Sequence, residues 1–317
     1  LPTGDTASRE TTGTYNAGTR GIFGGGFVGP GGADQRDTIQ FINIASTGNA
    51  TDAGDLTQAR YGNAALASAT RAVWAGGIIP SPAIYNIIDA VEIMSTGNAF
   101  DFGDLYATVY YPGGVSNRTR GIYAGGYQVP SPSGFKNNIG FITIASKGDS
   151  QDFGEFTARN SFSTFNSPTR GCFAGGATPG KINTIEYVTI ASTGDAQDFG
   201  DLSQARNYAG GCSSAIRGLV GGGSTPGTVN TIDYVTIATT GTAADFGDLT
   251  SASGRAEVGS CSSATRGVFA GSWSPSKTDV IDFVNLQTTG NAVTFGTLVN
   301  PGVMQEMGTS NGHGGLG

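Results

Sequence analysis

The segment FAGGATPGKINTIEYVTIASTGDAQDFGDLSQAR, residues Phe173 to Arg206, contains short motifs that recur along the whole chain. We use one residue from each of two motifs as a marker, the arginine of a TRG-like turn and the glycine of an STG-like turn. The arginines are Arg20, Arg71, Arg120, Arg170, Arg217 and Arg266, at intervals of 51, 49, 50, 47 and 49 residues. The glycines are Gly48, Gly97, Gly148, Gly194, Gly241 and Gly290, at intervals of 49, 51, 46, 47 and 49 residues. Because two independent markers keep one period, the sequence indicates six copies of one unit. A period of about 40–50 residues is typical of propellers and solenoids.

The short segments inside one unit distinguish these two architectures. NTIEYVTIAS (183–192) is rich in β-branched and aromatic residues and nearly apolar on both faces, as in a strand buried from both sides. GCFAGG (171–176), AQDFGDL (196–202) and NYAGGCSSA (207–215) are equally short and are separated by turn-forming residues, with no sustained helical stripe. The sequence therefore predicts an all-β fold, a six-bladed β-propeller of four-stranded antiparallel blades. We expect a single domain over 1–317, with repeats at approximately 19–68, 70–118, 119–168, 169–215, 216–264 and 265–317.

One segment of each unit is built from small residues. AALASA (64–69), GGCSSA (210–215) and GSCSSA (259–264) are equivalent, and they suit innermost strands, which crowd around a central axis. Cys212 and Cys261 share one position in neighbouring units, so we interpret them as small buried residues rather than as a reactive pair. With Cys172 they make an odd count, which argues against a disulfide framework.

Composition excludes several classes of function. The chain of 317 residues has a formal net charge of −7 and no run of Lys or Arg, so we expect no nucleic-acid partner. No apolar stretch approaches the roughly 20 residues of a spanning helix, so we expect no membrane insertion. His313 is the single histidine, too few for structural zinc, and we interpret it as a bystander near the C-terminus rather than as a catalytic base. We expect no cofactor, no bound metal and no catalytic residues.

Propeller topology places the turns of each unit on two faces. We call the face with the TRG and STG turns the constant face, because the sequence motifs of these turns repeat almost unchanged from unit to unit. The variable face carries the linkers between units and the loops that follow the second strand of each unit. Those loops are unlike one another and cover 26–37, 78–86, 127–137, 177–183, 224–230 and 272–279. Variable loops on a fixed frame are a usual way to make a binding surface. The predicted binding residues are Tyr85, Tyr127, Phe135, Lys136 and Trp273, although these loops could instead pack on one another or on a neighbouring subunit.

Charged residues recur with the repeat. Pairs such as Asp198 and Asp201 are compatible with acid–base chemistry or with Ca²⁺, but they recur in most units, which favours a structural role in turns. The six TRG arginines are predicted to be structural repeat residues. We expect them to pair with acidic residues such as Asp89, Glu186, Asp233 and Asp282 rather than to form an anion-binding ring.

Aligned from its innermost strand, each unit resembles a kelch repeat. The double glycines Gly76–Gly77, Gly125–Gly126, Gly175–Gly176 and Gly221–Gly222 match the kelch diglycine that ends the second strand. Phenylalanines stand where kelch repeats have a tryptophan in the fourth strand, except in the first unit, which has Ala53; they are Phe102, Phe153, Phe199, Phe246 and Phe295. An arginine stands 11 residues before the TRG arginine, as in kelch linkers, at Arg60, Arg159, Arg206 and Arg255. The resemblance covers nearly the whole chain and implies the propeller fold.

The wording of the repeat also resembles repeat proteins of marine bacteriophages, especially cyanophages. That resemblance implies a virion structural component, a tail or fibre module that binds the host surface or serves virion assembly. Its partners would be other virion proteins and a host cell-surface glycan or protein, and its location would be the virion, outside the cell. A glycan-active propeller enzyme and a secreted bacterial adhesion protein remain alternatives, although the chain lacks the Ser-x-Asp-x-Gly-x-x-Trp box of sialidase propellers.

Both ends of the chain offer an innermost strand to the first unit. Residues 5–20 and the residues after Leu298 each parallel a linker between units. Only one of them can occupy the position, and we expect the C-terminal segment at the seam, because pairing the two chain ends removes an exposed sheet edge.

Overall fold

The predicted architecture is confirmed: the chain forms a six-bladed β-propeller whose blades are four-stranded antiparallel sheets. The computed structural model describes residues 19–28, 34–79, 84–129, 134–273, 277–299 and 305–316. Among these residues, the one helical element is a short 3-10 turn, Gly314–Leu316, and no helix has the length and apolar character needed to traverse a bilayer.

The second to sixth blades begin at the axis, and their strands follow outward in chain order, whereas the first blade takes its innermost strand from the C-terminal end of the chain. The first blade contains β1 (Arg20–Gly24), β2 (Thr38–Asn43) and β3 (Thr51–Asp55). The second contains β4 (Ala64–Ala67), β5 (Arg71–Ala75), β6 (Ile87–Glu92) and β7 (Phe100–Asp104). The third contains β8 (Gly113–Ser116), β9 (Arg120–Ala124), β12 (Asn138–Thr143) and β13 (Gln151–Glu155), with a loop ribbon of β10 (Tyr127–Gln128) and β11 (Gly134–Phe135).

The remaining three blades repeat this arrangement. The fourth contains β14 (Ser163–Asn166), β15 (Arg170–Ala174), β18 (Thr184–Thr189) and β19 (Gln197–Asp201), with a loop ribbon of β16 (Ala177–Thr178) and β17 (Gly180–Lys181). The fifth contains β20 (Gly210–Ser213), β21 (Arg217–Gly221), β22 (Thr231–Thr236) and β23 (Ala244–Asp248). The sixth contains β24 (Gly259–Ser262), β25 (Arg266–Ser272), β26 (Thr278–Asn285) and β27 (Val293–Thr297).

The C-terminal strand closes the ring. β28 (Met307–Ser310) pairs antiparallel with β1 and supplies the innermost strand of the first blade, as expected. The N-terminal arm that offered the competing strand, residues 5–18, lies outside the described residues. The innermost strands then contact one another in a complete circle, which leaves no blade edge open at the seam.

The hydrophobic core lies between blades rather than within them. Each of the six buried clusters combines residues of two adjacent blades. Between the first two blades, for example, Ile22 and Ile39 pack with Trp74 and Val91. The fourth-strand phenylalanines are buried as anchors, and four of them meet a third-strand aromatic ring edge-on at about 6 Å. A blade therefore buries its apolar faces only when both neighbours are present.

The double glycines that end the second strands adopt the left-handed backbone region. Gly175 and Gly176 have φ of +66° and +99°, and a Cβ on Gly175 would lie 2.5 Å from the carbonyl oxygen of Arg206. In the fifth blade the expected pair was off by one residue: β21 extends through Gly221, and the positive φ angles belong to Gly222 and Gly223. Three consecutive glycines made the sequence alignment ambiguous there.

Candidate functional site

The constant face is held by the TRG arginines, each of which reaches the next blade. Arg170 Nη1 donates to the carbonyl oxygen of Ile237 at 2.8 Å, and its guanidinium lies 4.4 Å from the centre of the Tyr187 ring. The other five arginines make the same bond to the equivalent carbonyl at 2.7–3.1 Å; the acceptors are Ile93, Ile144, Ile190, Leu286 and Ile44. The last of these bonds runs from the sixth blade to the first, so the six bonds form a closed circle.

The expected pairing of these arginines with Asp89, Glu186, Asp233 and Asp282 is wrong. The acids pair instead with the linker arginines: Arg60 with Asp89 at 2.7 Å, Arg159 with Glu186 at 2.9 Å, Arg206 with Asp233 at 2.8 Å and Arg255 with Asp282 at 2.5 Å. Antiparallel geometry explains the difference, because the acids lie mid-strand, three residues before the strand end that the TRG arginine faces. Arg71 does bond an acid, but this is the half-exposed Glu92 at the end of its own blade's third strand.

The repeated carboxylates of the STG segment are bonded to backbone. Asp195 accepts the backbone N–H of Glu155 in the preceding blade at 2.9 Å, and Asp149 accepts that of Asp104 at 3.0 Å. Asn98 and Asn291 do the same in other blades, so the position needs an acceptor and not a charge. Within the described residues no group of three or more His, Cys, Asp or Glu side chains could hold a metal ion.

The predicted binding residues occupy three places on the variable face. Tyr127 and Phe135 face each other across the β10–β11 ribbon, with ring centres 5.1 Å apart and nearly perpendicular planes. Lys136 follows in the same loop and fixes it by donating its backbone N–H to Gly126. Tyr85 belongs to the loop of the second blade, and Trp273, which is 39% exposed, belongs to the loop of the sixth.

A chain of aromatic rings connects these places across the face. From Trp273 it passes through Phe27, Tyr61, Tyr111 and Tyr110 and reaches Tyr127, with successive ring centres 4.6–6.3 Å apart. Tyr208 joins it beside Tyr111 at 5.8 Å. Sequence reasoning missed these linker tyrosines because it weighed only the loops.

Six linker residues form a ring around the axis at the variable face. They share a left-handed backbone with φ of 54–63°, and they are Gly62, Tyr111, Ser161, Tyr208, Glu257 and Gln305. Backbone bonds join neighbours head to tail, as where Glu257 N–H donates to Tyr208 at 2.7 Å and Tyr208 N–H to Ser161 at 2.8 Å. Five non-glycine residues hold this normally disfavoured conformation, which indicates that the ring constrains them. The signal was present in the sequence, since this position varies while the linker arginine two residues earlier repeats.

A cavity of about 50 Å³ lies within this ring at the mouth of the axial channel. Its lining includes the Tyr111 and Tyr208 rings, Ser161, which bonds the Tyr208 hydroxyl, and a set of polar side-chain atoms without a protein hydrogen-bond partner; these are Asn63 Oδ1 and Nδ2, Glu257 Oε2 and Gln305 Oε1. Burial raises the pKa of the Glu257 carboxyl to about 7, although a hydrogen bond with Gln305 opposes the shift. Burial raises the pKa of both tyrosine hydroxyls as well, and Glu257 adds to that effect.

The opposite end of the axis is closed by the C-terminal turn. His313 is 8% exposed, and its Nε2 lies 2.9 Å from the carbonyl oxygen of Ala67. Its Nδ1 accepts the backbone N–H of Gly315 at 3.1 Å. Burial lowers the pKa of the ring to about 4, which keeps it neutral near pH 7. Nothing in the repeat pattern predicted that this histidine lies inside the channel, where its bonds hold the chain end in place.

The three thiols are buried and free. Cys212 and Cys261 line the axial channel on adjacent innermost strands, and burial raises their pKa, that of Cys212 to about 12. A raised thiol pKa keeps the unreactive protonated form, which agrees with their interpretation as packing residues.

The fold and its two faces define the class of this protein as a six-bladed β-propeller with a cross-linked constant face and an aromatic variable face. Comparison with known proteins adds no narrower class, because the chain matches no protein-family profile and no curated protein.

Proposed function

We propose that this propeller is a non-enzymatic structural component of a bacteriophage virion, a tail or fibre module of kelch-like repeats. Its variable face would contact the host surface or another virion protein. The proposal rests on the resemblance of the repeat motifs to phage repeat proteins. It also rests on the difference between the constant face, whose motifs are repeated, and the variable face, whose loops differ.

The observation that carries the binding role is the contrast in how the faces use their side chains. On the constant face the repeated polar groups are engaged in bonds between blades. On the variable face the aromatic rings of six chain segments contact one another in a row. That row ends at Trp273, whose large ring is 39% exposed. Exposed aromatic rings on a rigid frame suit contacts with sugars or with protein surfaces.

Binding is tested with single variants of the isolated protein on whole host cells. Trp273→Ala and Tyr127→Ala should each reduce cell binding, while Met94→Ala should not. Met94 is a matched control, because it is an apolar side chain of the constant face with 49% exposure. Equal loss with all three variants, or with none, would contradict the assignment of the variable face.

The virion assignment has its own test. Imaging of the intact particle should show a six-bladed ring of this size at the tail or its fibres. A particle without such a ring would refute the assignment to the virion, while leaving the binding surface to be judged from the cell assay.

Glu257 is the one feature that favours a second candidate, a glycan-active enzyme. A carboxyl group with a pKa of about 7 in a polar cavity is the kind of group that acts as a general acid. Glycosidases of the common type need a second carboxylate, and Glu257 is the one carboxylate among the described residues that line this cavity. Hydrolysis of host polysaccharide that is lost in Glu257→Gln would establish the enzyme.

A further inference from the structure

The cavity inside the ring of linker residues has the properties of a ligand site that is separate from the exposed aromatic surface. Its polar atoms come from four different linkers, so no local turn explains their convergence. Asn63 is fully buried, and neither its oxygen nor its nitrogen has a protein partner. Native proteins rarely leave such groups unsatisfied, and each one calls for a bound molecule or another stated cause.

The unsatisfied atoms are mostly acceptors. Asn63 Oδ1 and Gln305 Oε1 can only accept hydrogen bonds, Glu257 Oε2 only accepts when the carboxyl is ionised, and Ser161 Oγ can accept one as well. Ordered water can supply two donors per molecule to such atoms, so a ligand that displaces the water must carry several donors in a small volume. A hydroxyl supplies one donor, whereas a primary ammonium group supplies three.

The charge of the site also selects a cation. Glu257 is the one acid that lines the cavity among the described residues, and no Lys or Arg side chain lines it. Arg255, two residues before Glu257, is turned away and paired with Asp282. The Tyr111 and Tyr208 rings complete the walls, and aromatic faces attract cations. Divalent metals fit less well, since hard cations of that kind need several carboxylate or carbonyl ligands.

We propose that this axial cavity binds a primary ammonium group, with the Glu257 carboxylate as its counter-ion and the Tyr111 and Tyr208 rings as its walls. The cavity of about 50 Å³ admits the head group and opens at the variable face, so the remainder of the ligand extends outward. A lysine side chain and an amino sugar both carry this group. The inference does not depend on the proposed virion role.

Binding is tested with methylammonium chloride on the full chain with ¹³C-labelled tyrosine rings, at pH 8 and at constant ionic strength. The Tyr111 and Tyr208 signals should shift until the site is saturated. We expect a dissociation constant in the millimolar range, which is the tightest binding that a ligand of this size can reach. Glu257→Gln should weaken binding at least about tenfold, because the buried counter-charge is gone. Asp101→Asn, which removes an exposed acid of β7, should leave it unchanged.

A second measurement needs no variant. The groups that face Glu257 are Tyr61, Tyr111, Tyr208 and Gln305, none of which changes charge between pH 5.5 and pH 8. Methylammonium also stays charged over this range. Binding should therefore weaken as Glu257 takes up a proton towards pH 5.5, and it should do so equally in Glu306→Gln, which removes the neighbouring buried acid that titrates in the same range.

The outcomes are distinct. Potassium chloride that shifts the same signals with equal affinity would overturn the ammonium assignment, and so would unsaturable shifts or unchanged binding by Glu257→Gln. Titrations with Nα-acetyl-lysine amide, and with glucosamine at pH 7 where its less basic amine is protonated, identify the source: tighter binding of either one than of methylammonium supports the proposal, and failure of all three amines refutes it. Because this assay uses no cells or virions, its result is independent of the test of the proposed function.

Discussion

The buried pair of Arg60 and Asp89 offers the sharpest test of how the linkers are held. Both side chains are fully buried and lie 2.7 Å apart. Asp89 also accepts the hydroxyl and the backbone N–H of Thr57, at 2.6 and 3.1 Å. Arg60 Nε donates to the carbonyl oxygen of Gly76 at 2.8 Å, so the pair joins the linker to the second blade.

Removal of one partner leaves the other as an uncompensated buried charge. We expect Asp89→Leu and Arg60→Met each to lower the free energy of unfolding by about 3–5 kcal/mol. The double variant should lose less than either single variant, about 1–3 kcal/mol, because it buries no charge but leaves the buried Gly76 carbonyl oxygen without its Nε donor; Thr57 is exposed enough to bond water. The third blade shows the same exchange in nature: Val109 and Gly140 occupy the two equivalent positions, and the Tyr123 ring fills the space at Gly140.

The assay is urea unfolding followed by circular dichroism and by tryptophan fluorescence, since Trp74 is buried in the same blade. Coincident transitions would show that one free energy describes the process. Asp101→Leu is the control, because it removes an exposed acid of the same blade and should cost less than about 0.5 kcal/mol. Additive single effects, with no coupling in the double variant, would refute the reasoning.

Three further predictions concern the ends of the axis and the contacts between blades. Arg170→Met should lower the free energy of unfolding by about 1.5–2.5 kcal/mol, since it removes one hydrogen bond and one cation–π contact with Tyr187; a loss under about 0.5 kcal/mol in urea unfolding would contradict this. Gly315→Val should expel the C-terminal turn from the axis, because a Cβ there would lie 1.8 Å from the Ser116 carbonyl oxygen. The pKa of His313, followed by NMR, should then rise from about 4 towards 6.5. A pKa that stays near 4 would argue against closure of the axis by this turn. Glu306 is buried with a pKa raised to about 8, so the folded state holds a proton that the unfolded state releases above about pH 4.5, and the wild type should lose stability as the pH rises from 5 to 8. Glu306→Gln should flatten that slope strongly, because the remaining contribution of Glu257 in the same direction is opposed below about pH 6.5 by the buried neutral His313; identical slopes for variant and wild type would count against the buried acid.

The sequence predicted the features that depend on short segments. The sixfold period fixed the number of blades, and the small residues of AALASA and GGCSSA identified strands that crowd around the axis. The repeat also predicted the two alternatives for ring closure, in which either the N-terminal or the C-terminal segment forms the innermost strand of the first blade. These features were accessible because each follows from the side chains of a single unit and from the sheet that such a unit forms.

The sequence did not predict the partners of the arginines. TRG arginines and linker arginines recur with one period, and both repeat alongside the same third-strand acids, so spacing alone cannot say which pair meets. In the first five blades, packing on the next blade places a carbonyl of a residue about 70 positions away beside the TRG arginine, at 2.9 Å for Arg120 and Ile190. The linker arginine is left to neutralise the acid in the blade interior.

The repeated motifs by themselves determined the fold, because a unit of four short strands can bury its apolar faces only by packing against copies of itself. The axial cavity was decided by the closed ring alone. Tyr111, Ser161, Tyr208, Glu257 and Gln305 belong to five separate linkers, and they become neighbours only when β28 pairs with β1 and the circle is complete. The burial that raises the pKa of Glu257 is a property of that closed ring and of none of its segments.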